Sequence, residues 1–189
     1  MNKKNLLDEV NSLRTNPSAY TSKVSQYKGY FNFDILKMPD GRNICTEEGP
    51  AAYDEAINYL KNAKPLNALT PSKGLTKIAE DVLAKVQSLD ADLVNKVTDL
   101  TSMINKQGIY EGTFVRVMQF GGTSPDQVII DLIVSDGDKS RRQRENLFNK
   151  DIKVCGIAFG DHKDFKKVVI ILGAGGFRNK NEANDADSY

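Results

Sequence analysis

Few side chains in this sequence are imidazoles or thiols, the types that carry acid–base and nucleophilic chemistry or bind zinc-like ions near neutral pH. There is one histidine, His162, and there are two cysteines, Cys45 and Cys155. One chain therefore cannot build a site with two imidazole ligands, and Ser135 and Ser140 lack a histidine partner that would activate them as nucleophiles. From these residues we predict no metal site and no cofactor, and an enzyme is less favoured than a binding protein.

The contexts of the cysteines and the histidine favour structural roles. Cys155 lies in the apolar run 154–159, which is typical of a buried thiol that packs as a small hydrophobic side chain. His162 falls in a predicted hairpin turn, where we expect an exposed residue. Two distant cysteines do not form the framework of a small secreted domain, so a reducing, cytoplasmic compartment fits best. We expect no signal peptide and no membrane span, because no apolar run is long enough.

The densest basic run is Lys139-Ser140-Arg141-Arg142-Gln143-Arg144. It could meet phosphates, an acidic protein surface or anionic lipid, and the alternative is a solvated segment in which Arg144 is structural. The candidate binding patch consists of Lys139, Arg141, Arg142 and Arg144. A net charge of only +1 argues against nucleic acid as a partner. The glycine-rich stretch 173–176 has no helix behind it, so it is not a predicted phosphate loop.

Length and composition indicate one globular domain. The chain has 189 residues, of which 40% are hydrophobic and 27% are charged. This is enough apolar material for one core of ordinary size. We predict a single domain over residues 1–177 and a polar C-terminal tail over residues 178–189, which has few apolar side chains to bury.

Helical periodicity and capping residues predict most of the helices. Apolar residues recur at three- and four-residue steps over 3–27, with Pro17 breaking the segment at 14–16. A second helical region opens at Thr46–Pro50, and Ser72 caps a third over 73–88. Ser124-Pro125-Asp126 begins another helix, which ends at Asp136-Gly137.

Three short runs predict strands, at 114–120, 154–159 and 167–172, and the last two form a hairpin. Residues 28–49 are predicted to be a long loop, and residues 89–111 are ambiguous. The order of helices, strand, helix and hairpin favours the α+β class, with a small, mostly antiparallel sheet between helices.

Several motifs in order resemble the CAP superfamily, also called SCP domains, and its bacterial and protist branch in particular. The strongest is Ser140–Asn149 followed by Val154–Ala158, which is similar to the family pattern "SR.HR.NLFNP.F..VGIA". Leu7–Arg14 resembles the opening helix of the family, and the segment from Ser124 to Gly137 resembles a later one. The resemblance implies an α-β-α sandwich whose central cleft carries two histidines and two acidic residues, which bind a divalent metal in some members.

Carried over by position, that site is degenerate in this sequence. The first histidine position falls at Asp92 and the second at Gln143. The glutamate of the "GEN" motif falls at Arg116, and the second acidic position falls at Asp136. A guanidinium cannot ligate a cation, so Arg116 beside Asp92 or Asp136 would form an ion pair where the family has a metal or proton-transfer site.

Three functions follow from this resemblance. The first is a non-catalytic domain that acts by protein–protein binding or as a structural part of a cytoplasmic assembly, for example a cytoskeletal, axonemal or ciliary one. The second is a hydrolase or protease-like enzyme that uses Asp92, Asp136 or His162 in an atypical site. The third is lipid or sterol binding, which would require an apolar cleft of sufficient size. We favour the first, with other proteins as partners.

Overall fold

A computed structural model of the chain describes residues 1–90 and 100–180. This part contains seven helices and seven strands. The helices are α1 (Lys3–Thr15), α2 (Pro17–Lys28), α3 (Pro50–Asn62), α4 (Lys73–Val86), α5 (Leu100–Gln107), α6 (Pro125–Val134) and α7 (Arg142–Leu147). The strands are β1 (Phe31–Asn32), β2 (Ile35–Lys37), β3 (Asn43–Cys45), β4 (Thr70–Pro71), β5 (Gly108–Phe120), β6 (Val154–His162) and β7 (Lys166–Asn179).

The helix boundaries follow from local capping chemistry. The predicted break in the first helical segment is confirmed: Asn16 ends α1, its side chain accepts from the Ala19 amide, and Pro17 opens α2. Ser72 caps α4 in the same way, accepting from the Leu75 amide at 3.2 Å. These side-chain acceptors satisfy amides that have no partner within the first helical turn.

A four-stranded sheet in the order β4-β6-β7-β5 forms the centre of the fold. β7 pairs antiparallel with both β6 and β5, and the short β4 pairs parallel with β6. All three predicted strands are present, and β5 and β7 are considerably longer than predicted. Most of the extra length comes from pairing between the start of β5, residues 108–111, and the end of β7, residues 176–179.

Helices cover both faces of this sheet. Ile157 and Ile171 pack in a core cluster that includes residues of α1, α2, α3 and α6. Ala158 and Ile170, one residue away on the same strands, pack in a second cluster with residues of α4 and α5. Because adjacent strand residues point to opposite faces, one hairpin supplies both cores. The predicted α+β sandwich, with a small sheet between helices, is therefore confirmed.

The prediction of a long loop over residues 28–49 was wrong. This segment holds a second, three-stranded antiparallel sheet in the order β1-β2-β3, in which Leu36 pairs with Ile44. Leu36 is buried and Ile44 packs against the first core. Strands of two or three residues leave no readable alternation in the sequence, and they form here because the core covers one face of the sheet.

His162 was also predicted wrongly, as an exposed turn residue. β6 continues through His162, whose side chain is buried between the rings of Phe120 and Phe165. Its Nδ1 accepts from the backbone amides of Asp164 at 3.1 Å and Phe165 at 3.4 Å. The imidazole therefore stabilises the turn that follows it. It is buried and does not face the solvent.

Arg14 is a charged residue inside the core. It is fully buried at the end of α1. Its Nε donates to the carbonyl of Asn67 at 3.1 Å, and its Nη1 donates to the carbonyls of Leu147 at 2.5 Å and Asn149 at 3.1 Å. One side chain thus joins α1 to the loop before β4 and to the end of α7, and it gives the buried Leu147 carbonyl a donor.

The cysteines are free thiols, Cys45 exposed and Cys155 buried as predicted. Burial raises the pKa of the Cys155 thiol to about 12, so it stays protonated and unreactive. β7 ends at Asn179, within the segment predicted as a tail, whose residues 181–189 lie outside the described residues. No helix in 1–90 or 100–180 combines the length and the apolar character that a membrane span requires.

Candidate functional site

A cavity of about 370 Å³ lies between the three-stranded sheet, β5 and α6. Its walls are largely apolar, and its polar groups are concentrated on β5, on α6 and in the loop between β2 and β3. The apolar wall residues are Leu36, Ile44, Met118, Phe120, Leu132 and Val134. The polar ones include Arg42, Gln119, Gln127, Asp131, Asp136 and Gln143. A concave apolar site with a few convergent polar groups is typical of a ligand pocket.

Asp131 is one of the two carboxylates that line this cavity, the other being Asp136. It lies on α6, and its Oδ2 accepts from Nε2 of Gln119 at 2.8 Å. The residue keeps partial contact with solvent, yet burial of the carboxyl raises its pKa to about 7. The bond from Gln119 and the charge of Arg42 oppose this rise and are outweighed, because an ionised carboxyl is poorly solvated there.

Gln119 is held in one orientation by the backbone around it. Its Nε2 also donates to the carbonyl of Phe120 at 2.6 Å, and its Oε1 accepts from the amide of Gly122 at 3.1 Å. A Cβ on Gly122 would lie 2.6 Å from that Oε1, so glycine at this position leaves room for the Gln119 side chain in this orientation. The amide NH2 of Gln119 is therefore fixed towards Asp131.

Arg42 closes another side of the cavity and fastens the β2–β3 loop. Its guanidinium donates to the carbonyl of Gly121 at 2.9 Å and to Oε1 of Gln127 at 2.8 Å. It also pairs with Asp40 at 2.7 Å and holds the pKa of that carboxyl below its usual range. The positive charge of Arg42 is thus largely committed to groups around the cavity.

Asp136, predicted at the second acidic position of the family site, accepts hydrogen bonds from the backbone. Its carboxylate accepts from the amides of Glu47 at 2.7 Å and Glu48 at 2.9 Å, just before α3. It lines the cavity, but both of its oxygens already bind protein donors. The neighbouring Ser135 has a φ of 48°, a left-handed conformation that turns the chain so that Asp136 reaches this loop.

Gln143 also has a structural contact. Its Oε1 accepts from the Met118 amide at 3.3 Å, and Asn146 donates to the carbonyl of Arg116 at 3.2 Å. Both hydrogen bonds are made to the backbone of β5, which is an edge strand of the four-stranded sheet. Helix α7 therefore supplies hydrogen bonds to an edge that would otherwise expose unpaired backbone groups.

Arg116 lies on β5, and burial lowers the pKa of its guanidinium, as does the nearby charge of Arg142. It is not among the residues that line the cavity. Asp92 lies outside the described residues. Of the three predicted site positions that lie within 1–90 and 100–180, the structure brings Asp136 and Gln143 to the cavity and leaves Arg116 outside it.

The predicted basic patch is divided by the fold. Arg141 pairs bidentately with Glu48, at 2.5 and 2.8 Å, and Arg144 is buried against Glu55 at 2.7 Å. The Arg144 guanidinium also lies 4.4 Å from the centre of the Tyr59 ring. Only two members of the patch are exposed, namely Lys139 and Arg142. These two do not make the four-cation surface that was predicted.

Sequence reasoning missed the central group of this cavity. Asp131 stands in the run Ile129-Ile130-Asp131-Leu132-Ile133, where a single charge interrupts an apolar helix face. Such a charge in the middle of a buried helix is a usable signal of a buried polar site. Its partners, Gln119 and Arg42, come from distant segments and give no comparable signal.

The polar groups that line this cavity are mainly hydrogen-bonding groups and carboxyls. Within 1–90 and 100–180, no three histidine, cysteine or acidic side chains are grouped so that they could hold a metal ion. The Tyr53 hydroxyl is an inert group, because burial and the charges of Asp131 and Asp136 raise its pKa. Asp131 can accept a hydrogen bond or exchange a proton.

No protein-family model matches the sequence, and no curated protein matches it. Among solved structures, the chain is similar to a cysteine-rich secretory protein from Staphylococcus aureus subsp. aureus Mu50, with 15% identity and a TM-score of 0.45. That match covers 66% of this chain and only 37% of the staphylococcal one. The chain is also similar to an outer surface protein from Borrelia burgdorferi, with 16% identity and a TM-score of 0.38. That match covers 61% of this chain and 80% of the Borrelia protein. Membership of the CAP superfamily stays a prediction from the motifs.

Proposed function

We propose that this chain is a non-catalytic CAP-type domain that binds a protein partner through the Asp131 cavity. The observation that carries the proposal is that two residues at the family site positions, Asp136 and Gln143, bind backbone amides of this chain. Asp136 accepts two backbone amides and Gln143 accepts another, so both groups hold the fold together. What is left in the cavity is an apolar surface with one oriented carboxyl, which suits recognition.

The setting we propose is a cytoplasmic assembly, such as a cytoskeletal or ciliary one, with other proteins as partners. Support for a reducing compartment comes from the two free thiols, one of them exposed. An exposed cysteine is prone to oxidation, which a reducing compartment limits.

A catalytic role is the second candidate, because a carboxyl with a pKa of about 7 matches the requirement for a general base. Catalysis would also need a nucleophile or an electrophile beside Asp131. The Ser135 hydroxyl donates to the Leu132 carbonyl at 2.7 Å and is buried. The test is hydrolysis of peptide and ester substrates by the purified chain and by Asp131→Asn. The catalytic role is rejected if the chain hydrolyses none of them, or if Asp131→Asn hydrolyses them equally well.

Lipid or sterol binding is less well supported. An acyl chain or sterol ring would cover Oδ1 of Asp131, to which no described residue donates, without offering it a hydrogen bond. Burying such a group without a partner costs about 1–3 kcal/mol.

The test is partner capture with a matched pair of variants on β3. Ile44 lines the cavity, whereas Asn43 is exposed on the other face of the same strand. We expect Ile44→Trp to fill the cavity and to abolish capture of the partner from a lysate of the source organism, and Asn43→Trp to leave capture intact. Equal capture by both folded variants would contradict binding at this cavity.

A further inference from the structure

We infer that the group entering the Asp131 cavity is a lysine side chain of the protein partner. This inference rests on the proposed binding function and adds the chemistry of recognition. It is argued from the oxygen that Asp131 leaves open, from the shape of the walls and from the balance of charge around them.

One oxygen of the carboxylate is available to a ligand. Gln119 donates to Oδ2 of Asp131 at 2.8 Å, and no described residue donates to Oδ1. A guanidinium pairs best with both oxygens of a carboxylate at once, in a fork geometry. A lysine ammonium is a point charge and needs only one oxygen. The Gln119 contact therefore favours lysine over arginine.

The apolar walls suit the stem of the same side chain. Lysine carries four methylene groups, which are commonly buried along apolar surface while the ammonium reaches a polar partner. Leu36 and Ile44 form one wall of the cavity, and Leu132 and Val134 on α6 form another. The volume of about 370 Å³ also leaves room for the stem and for water.

The charged and titratable groups around Asp131 favour a cation. Arg42 is the cation that acts on Asp131, and it is paired with Asp40. The other titratable groups near Asp131 are acids or phenols. They are Tyr27 on α2, Tyr53 on α3, Asp126 on α6 and Asp136, which follows Ser135. Both tyrosines have a raised pKa and stay neutral, so the sum of these charges is negative at pH 8.

Binding should be coupled to the ionisation of Asp131. The carboxyl has a pKa of about 7 and must lose its proton to pair with an ammonium. Lysine has an ordinary pKa of about 10.4 and stays charged between pH 6 and 8. The ionised fraction of Asp131 rises about tenfold over this interval, so the affinity should rise by about the same factor.

The experiment is a titration of the ¹⁵N-labelled, 189-residue chain with capped pentapeptides, followed by NMR. The peptides have glycine at four positions and lysine, arginine or norleucine at the centre. We expect the lysine peptide to shift the side-chain amide signal of Gln119 and to bind at least tenfold more tightly than the other two at pH 8. Asp131→Asn should remove that preference, and Asp54→Asn, an exposed acid paired with Lys28, should preserve it.

The outcomes separate this inference from the proposed function. Equal binding of lysine and norleucine, tighter binding of arginine, or an affinity for lysine that does not rise from pH 6 to 8 would each overturn the lysine assignment. Absence of peptide binding would overturn it as well. The proposed function is judged independently, by whether Ile44→Trp and Asn43→Trp differ in partner capture.

Discussion

Replacing Asp131 by asparagine should stabilise the protein at pH 8. The folded chain raises the pKa of Asp131 from an ordinary value of 3.8 to about 7. The folded state therefore holds a proton that the unfolded state has released between these two pH values. Stability contributed by this group is complete below pH 4 and is lost as the pH rises towards 7. Asparagine keeps the shape and an acceptor for Gln119 without carrying a charge.

The size of the effect follows from the shift of the pKa. Three units correspond to at most about 4 kcal/mol, at 1.36 kcal/mol per unit. Asp131 retains partial contact with solvent, so screening lowers this to about 2 kcal/mol. For a chain of this length we expect Asp131→Asn to melt about 4–8 °C above the wild type at pH 8. At pH 4 the difference should shrink to below about 0.5 kcal/mol.

Urea unfolding at pH 4, 6 and 8, followed by circular dichroism, measures this difference directly. Asp54→Asn is the control, because Asp54 is an exposed residue on α3 away from the cavity. A variant that is less stable than the wild type at pH 8 would refute the reasoning. A gain in stability that is the same at all three pH values would refute it too, since ionisation would then not be its cause.

Three further substitutions test side-chain contacts that hold distant segments of the fold together. Arg14→Met should cost about 2–4 kcal/mol in urea unfolding, because the buried Leu147 carbonyl and the partly buried carbonyls of Asn67 and Asn149 lose their donor; a cost below 1 kcal/mol would contradict this. Glu55→Gln should cost about 2 kcal/mol, since the buried charge of Arg144 loses its counter-ion, whereas the exposed Glu145→Gln should change little. Asp136→Ala should lower the free energy of unfolding by about 1 kcal/mol and accelerate hydrogen exchange at the amides of Glu47 and Glu48. Unchanged exchange at these two amides would contradict the assigned contact.

Local chemistry made much of the fold predictable. Asn16-Pro17, Ser72 and Ser124-Pro125 each set a helix start through groups only a few residues away. The strands of the hairpin were readable from their continuous apolar runs. The three-stranded sheet of residues 31–45 was not readable, because its strands are too short to show a pattern and are stabilised by the core beneath them.

His162 illustrates a different failure. The polar neighbours of His162 indicated a turn, but pairing with Lys166 across the hairpin extends β6 through it, and the rings of Phe120 and Phe165 bury it. A residue at the end of a strand can belong to the strand or to the turn, and the choice depends on what packs against it.

The sequence by itself determined the α+β order of elements and excluded a two-histidine site, because element order and residue counts need no knowledge of contacts. Only the tertiary structure decided what the remaining polar groups do. It assigned Asp136 and Gln143 to backbone amides, paired Arg141 and Arg144 with acids, and placed Asp131 beside Gln119 in a cavity. The physical reason is that burial and partners set the behaviour of a charged group, and both come from segments far apart in the chain.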